Sequence, residues 1–138
     1  MTQHTSYSHS RTVDLTFEDA LARTRAALAE EGFGVLCEID VQATMQAKLG
    51  IARDPYTILG ACNPQLAQRA LTAEPKLGVL LPCNVVVYVS DRRTVVSTVA
   101  TEEMLGMAGN PDLVPIARDV AERLARVLRQ VATSSSGI

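Results

Sequence analysis

The stretch VVVYVSDRRTVVSTV, residues 85–99, decides the fold. Two β-branched runs, Val85 to Val89 and Thr94 to Val99, flank the polar quartet Ser90-Asp91-Arg92-Arg93. β-Branched side chains suit a pleated, half-buried surface, and a polar break between two such runs predicts an antiparallel hairpin. Upstream, Tyr56 to Cys62 reads as a further strand. In 33–41 the residues Phe33, Val35, Cys37, Ile39 and Val41 fall on one strand face, with Glu38 and Asp40 on the other. A short strand at Val13 to Phe17 brings the number to about five. Between the strands run helical patterns. Phe17, Leu21, Thr24 and Leu28 end at Gly32, and Val41, Met45 and Leu49 end at Gly50. Asn63-Pro64 and Asn110-Pro111 each place a capping amide before a proline suited to a first helical turn. The second opens the longest stripe, Leu113, Ile116, Ala117, Val120, Leu124, Leu128 and Val131. This mixed order predicts an α+β domain, a largely antiparallel sheet covered on one face by helices.

The 138 residues suit one domain, expected over residues 11–132 between flexible polar tails at 1–10 and 133–138. Thirteen basic residues balance fifteen acidic ones for a net charge of −2, which provides no basic footprint for nucleic acid. The longest apolar stretch, Leu77 to Val89, is interrupted by Pro82 and Asn84 and falls short of the roughly 20 residues that span a bilayer. Neither nucleic acid nor membrane is therefore an expected partner. The first ten residues lack a basic start and an apolar core. With an odd count of three cysteines, this points to the reducing cytoplasm. His4 and His9 both lie in the polar N-terminal stretch, so the folded body is expected to hold no imidazole for acid–base work.

Chemistry is sought instead among thiols, amides and carboxylates. Cys62-Asn63-Pro64 echoes Pro82-Cys83-Asn84, and each cysteine sits at a strand boundary beside an asparagine. Cys62 precedes a helix N-terminus, where unpaired N–H groups favour a thiolate. Asn84 interrupts an apolar run, where an amide needs a partner or lines a site. The plain alternative makes both thiols small buried side chains, Asn63 a cap, and the Glu38/Asp40 pair a solvated face ending in a helix cap. Cys37, among Phe33, Val35 and Ile39, reads as core. No phosphate-binding glycine loop is present, and the serines have no histidine partner in the body.

The blocks EEGFGVLCEIDVQATMQAKLG (30–50), YTILGACNPQLAQRAL (56–71) and EPKLGVLLPCNVVVY (74–88) resemble the family called domain of unknown function 302, DUF302. The likeness runs through the hairpin and final helix, over roughly residues 20–130. It implies a TBP-like fold with a curved antiparallel sheet, homodimers and a cytosolic setting, but no activity and no cofactor. Its motif positions fall here on Gly32, Gly34, Glu38, Asp40, Gly60, Cys62, Asn63, Pro64, Pro82, Cys83 and Asn84. The expectation is a non-enzymatic homodimeric domain binding a small ligand through Cys62, Asn63, Cys83 and Asn84, with Glu38 nearby. The rival is a thiol-based redox, sulfur-handling or soft-metal protein using Cys62 and Cys83.

Overall fold

The computed structural model describes residues 2–133. Six antiparallel strands form one sheet: β1 (Thr2–His4), β2 (Ser8–Val13), β3 (Gly34–Asp40), β4 (Tyr56–Cys62), β5 (Cys83–Ser90) and β6 (Arg93–Val99), in the order β1-β2-β6-β5-β4-β3. The expected hairpin is β5–β6, and its tight turn holds Asp91 and Arg92 at positive φ. Five α-helices accompany the sheet: α1 (Phe17–Glu30), α2 (Val41–Leu49), α3 (Pro64–Ala73), α4 (Thr101–Gly106) and α5 (Val114–Thr133). The class is α+β, as expected.

The polar N-terminal stretch departs from expectation. Instead of a frayed end, residues 2–4 and 8–13 supply two strands. Backbone hydrogen bonding needs no apolar side chains, and β2 pairs with β6 over its whole length, from Ser8↔Val99 to Val13↔Thr94. His9 therefore belongs to the folded body, on the sheet face that also carries Val13. Residues 134–138, expected as a C-terminal tail, lie outside the described residues, and Thr133 closes α5.

Strand register sorts the side chains into two faces. One row across the sheet is Glu38–Leu59–Val85–Thr98–His9 and another is Asp40–Thr57–Val87–Val96–Arg11. Leu59, Val85, Val87 and Val96 in these rows are fully buried beneath α1 and α5. The long stripe of α5 delivers Ile116, Val120, Leu124, Val127, Leu128 and Val131 to the same core. The opposite face carries no helix layer. Its rows are Ile39–Ile58–Val86–Ser97–Ser10 and Tyr56–Tyr88–Val95–Thr12.

Strand β3 reverses the expected pattern. A register shift between Val35 and Cys37 puts Cys37 and Ile39 on the open face and turns Glu38 toward the helices. As an edge strand β3 is exposed throughout, so Cys37 is a surface thiol rather than core. Phe33, just before it, is the residue of this segment that is buried. The stripe expected on α2 likewise buries no residue.

Candidate functional site

Where β4 and β5 meet the helical layer, a cavity of about 310 Å³ remains. Ala61, Cys62 and Cys83 form its strand side, Phe33 just before β3 and Leu36 within it approach from one edge, and Ile116 and Val120 from α5. Leu66, Ala70 and Leu71 of α3 and Leu77, Gly78 and Leu81 of the following chain close the rest.

Each polar group in the wall is fixed by local sequence. Asn63 ends β4's run and caps α3, its side-chain oxygen accepting from the Leu66 N–H at 3.2 Å. Pro64 fits the first helical position because its missing N–H would be unpaired there. Pro75 ends α3 and opens a 3-10 segment, Pro75–Leu80, that brings Leu77 to the cavity, with Leu81 directly after it. Ala61 pairs with Cys83 across the strands, which brings Cys62 beside it. Burial, reinforced by neighbouring Cys62, pushes the Cys83 thiol from 9.0 up to about 11. At neutral pH it is a protonated, weakly polar wall group. All three cysteines are free.

The expected site is thus gathered in part. Cys62, Asn63 and Cys83 line one cavity. Asn84 does not join them, because alternation along β5 turns it to the open face. There it borders a shallow depression with Tyr7, Ser10, Tyr56, Tyr88 and Ser97. Glu38 is also elsewhere, held by an ion pair with Arg25 of α1. Asp40 serves as the cap of α2, accepting from the Ala43 N–H at 2.9 Å. His9 lies in a different depression, with Arg11, Glu102 and Glu122 among its neighbours. Among the described residues no group of three His, Cys, Asp or Glu side chains is arranged to hold a metal ion.

Two features of the site escaped sequence reading. Leu36 reads as part of the outward strand face with Glu38 and Asp40, and the 77–81 run as an apolar segment, yet both shape the cavity. Gly32 reads only as a helix end. At φ +83° it also lets the Asn63 amide pack against the backbone, since a Cβ here would stand 2.9 Å from Asn63 Nδ2.

The family model described as "Domain of unknown function DUF302" matches residues 9–131. Among solved structures, the crystal structure of an uncharacterized conserved DUF302 protein from Bacillus stearothermophilus is similar at a TM-score of 0.84. The two chains share 34% sequence identity over 90% of this chain and 97% of that one. No curated protein matches significantly.

Proposed function

This chain belongs to the DUF302 family, and from that premise we propose that it is a homodimeric, non-enzymatic domain that binds a small apolar ligand. The observation that carries the reading is the cavity at the β4–β5 end. Concave, largely apolar spaces with a few fixed polar groups are where proteins hold small molecules. At about 310 Å³ it lies at the small end of the usual range, roughly 300–1,000 Å³.

Thermal denaturation with 1-octanol as probe tests the binding reading. A molecule that binds only the folded state raises the midpoint in proportion to ln(1 + [L]/Kd). Replacing the part-buried cavity residue Ala67 by leucine fills the space and abolishes the shift. If 1-octanol shifts neither the parent nor Ala67→Leu, or shifts both alike, the reading fails.

Dimerisation is supported by the uncovered sheet face. Its two central rows, Ile39–Ile58–Val86–Ser97–Ser10 and Tyr56–Tyr88–Val95–Thr12, carry no charged side chain, while Arg93, opposite Ser90, stands at the hairpin end of the face and Arg53 lies over the Tyr56 ring. The chain's three tyrosines, Tyr7, Tyr56 and Tyr88, all border its depression, and tyrosine is enriched at protein interfaces. Three free thiols suit a reducing cytoplasmic setting.

Thiol redox chemistry is supported less well. A resolving thiol must ionise, and Cys83 at about 11 is protonated at neutral pH.

A further inference from the structure

Resting on the cavity reading, we infer that the ligand is an organic compound of a trivalent thiophilic element, an aryl- or alkylarsenic(III) species, held by Cys62 and Cys83 together. Three observations lead there. First, the two thiols share one wall. Ala61 is the strand partner of Cys83, so Cys62 lies across from Cys83 and one residue along. Strands about 5 Å apart with a rise of about 3.4 Å per residue place the two Cα atoms about 6 Å apart. Paired sulfurs are joined across such a span in ordinary proteins. Both residues line the cavity, and Cys62 is near enough for its charge to act on Cys83.

Second, these thiols are uncommitted. Cys83 is only 8% exposed, yet among the described residues neither its thiol nor that of Cys62 makes a hydrogen bond, and no disulfide joins them. A soft centre that accepts two sulfurs satisfies both at once. An apolar molecule reaches them through the cavity, which opens beside exposed Leu36.

Third, the rest of the wall does not suit a bare ion. The lining holds no carboxylate, imidazole or thioether, and Cys37 stands on the open face against Gly60. A metal that needs three or four protein ligands is left short. A bare ion would also leave most of the about 310 Å³ empty. Trivalent arsenic that already carries a hydrocarbon group needs only two sulfurs, and that group gains by leaving water for Leu66, Ala70, Leu77 and Ile116. The step is a condensation on R–As(OH)2. Two S–H and two As–O bonds break, two As–S and two O–H bonds form, and two waters leave. Arsenic stays trivalent, so neither oxidant nor reductant is consumed, and the Cys83 proton departs in one of the waters.

The test titrates the reduced full chain with phenylarsine oxide and, separately, arsenite, read by intact mass. Phenylarsine oxide is expected to add one phenylarsenic group per chain in place of two thiol hydrogens. The adduct should resist the monothiol mercaptoethanol and yield to the dithiol dimercaptopropanol. Cys37→Ala should keep that resistance, whereas Cys62→Ala and Cys83→Ala should each lose it. Part-buried Cys62 carries the comparison should Cys83→Ala not fold. Ala67→Leu, which fills the cavity, is expected to weaken phenylarsine oxide at least tenfold more than arsenite. The inference is overturned if the parent forms no resistant adduct, if resistance survives Cys62→Ala, or if Cys37→Ala removes it. Equal weakening of both probes by Ala67→Leu overturns it too, because the hydrocarbon group would then have no place in the cavity. In each case a 1-octanol shift that depends on Ala67 leaves the cavity reading standing. If that shift is absent as well, both fall.

Discussion

Gly60 has little room to change. It pairs with Cys37 on one side and Asn84 on the other, in the middle of the open face. A Cβ there would stand 2.5 Å from Cys37 Sγ and 2.8 Å from Pro82 Cγ. The cysteine can rotate away but the proline ring cannot, so Gly60→Ala is expected to cost about 1–3 kcal/mol, as overpacking usually does. A Cys37→Ala background should recover part of that loss. Urea denaturation measures both, and an unchanged midpoint in Gly60→Ala would show that Pro82 yields freely. The cysteines themselves are expected to separate by reactivity. A chromogenic disulfide at pH 8 should modify exposed Cys37 first, part-buried Cys62 more slowly, and Cys83 only once the chain is unfolded. Fast labelling of Cys83 in the native protein would contradict its burial. Cys83 also links stability to pH. Its folded-state value of about 11 lies above its unfolded value of 9.0, so the folded chain holds the proton more tightly. That contribution is complete below pH 9 and is lost as pH rises toward about 11. At 1.36 kcal/mol per unit it amounts to about 2–3 kcal/mol. Comparing the parent with Cys83→Ala in urea across this window isolates it from lysine and tyrosine titrations common to both. Equal alkaline losses would remove the assignment.

At the scale of elements, α3 is where sequence signals and site coincide. Its cap, its first-turn proline and its terminating proline are all visible as Asn63, Pro64 and Pro75. Asn63→Ala leaves the Leu66 N–H without its acceptor and is expected to cost about 1 kcal/mol, while Asn63→Asp retains most of it. Urea midpoints separate the two, and equal losses would mean that the cap bond contributes nothing. The hairpin and α5 were equally legible, one by β-branched runs around a polar turn, the other by an apolar stripe at helical spacing. What was hidden has physical causes. Strand β1 and most of β2 lack apolar alternation because they are held mainly by the backbone ladder. The shift between Val35 and Cys37 leaves no mark in composition, yet one extra residue exchanges the faces of everything after it. That single event sent Cys37 to the open face and Glu38 to Arg25. For the same reason the cavity was legible at Cys62, Asn63 and Cys83. Asn84, one residue further along a strand, had to point the other way.

At the scale of the whole molecule, the sheet has helices on one face, while on the other Val95, Ser97 and Ser10 are buried and Ile39 is exposed. The uncovered rows expose Ile39, and Tyr56 stacks on Tyr88 with ring centroids 5.1 Å apart while Arg53 lies 5.3 Å over the Tyr56 ring. A standard interface needs roughly 800 Å² per partner, about a tenth of the 7949 Å² this chain exposes. A two-fold pairing of open faces would put each central residue near its own copy. Tyr88 sits on the inner strand β5 of that face, paired with Val95 and Tyr56. Light scattering of the parent is therefore expected to give twice the 14.8 kDa chain mass. Tyr88→Arg should give the single mass, because two guanidinium groups would face each other across the axis in a dry interface. Circular dichroism and the 1-octanol shift should survive in that variant, since the cavity lies on the helical side and shares no wall with Tyr88. A parent that scatters as a monomer at working concentration removes the dimer and leaves the cavity reading intact. A Tyr88→Arg variant that remains dimeric moves the interface elsewhere, to the exposed β3 edge or the helical face. If Tyr88→Arg loses both the dimer and the octanol shift while still folded, the two faces are coupled through β5, whose alternate residues line the cavity and the interface.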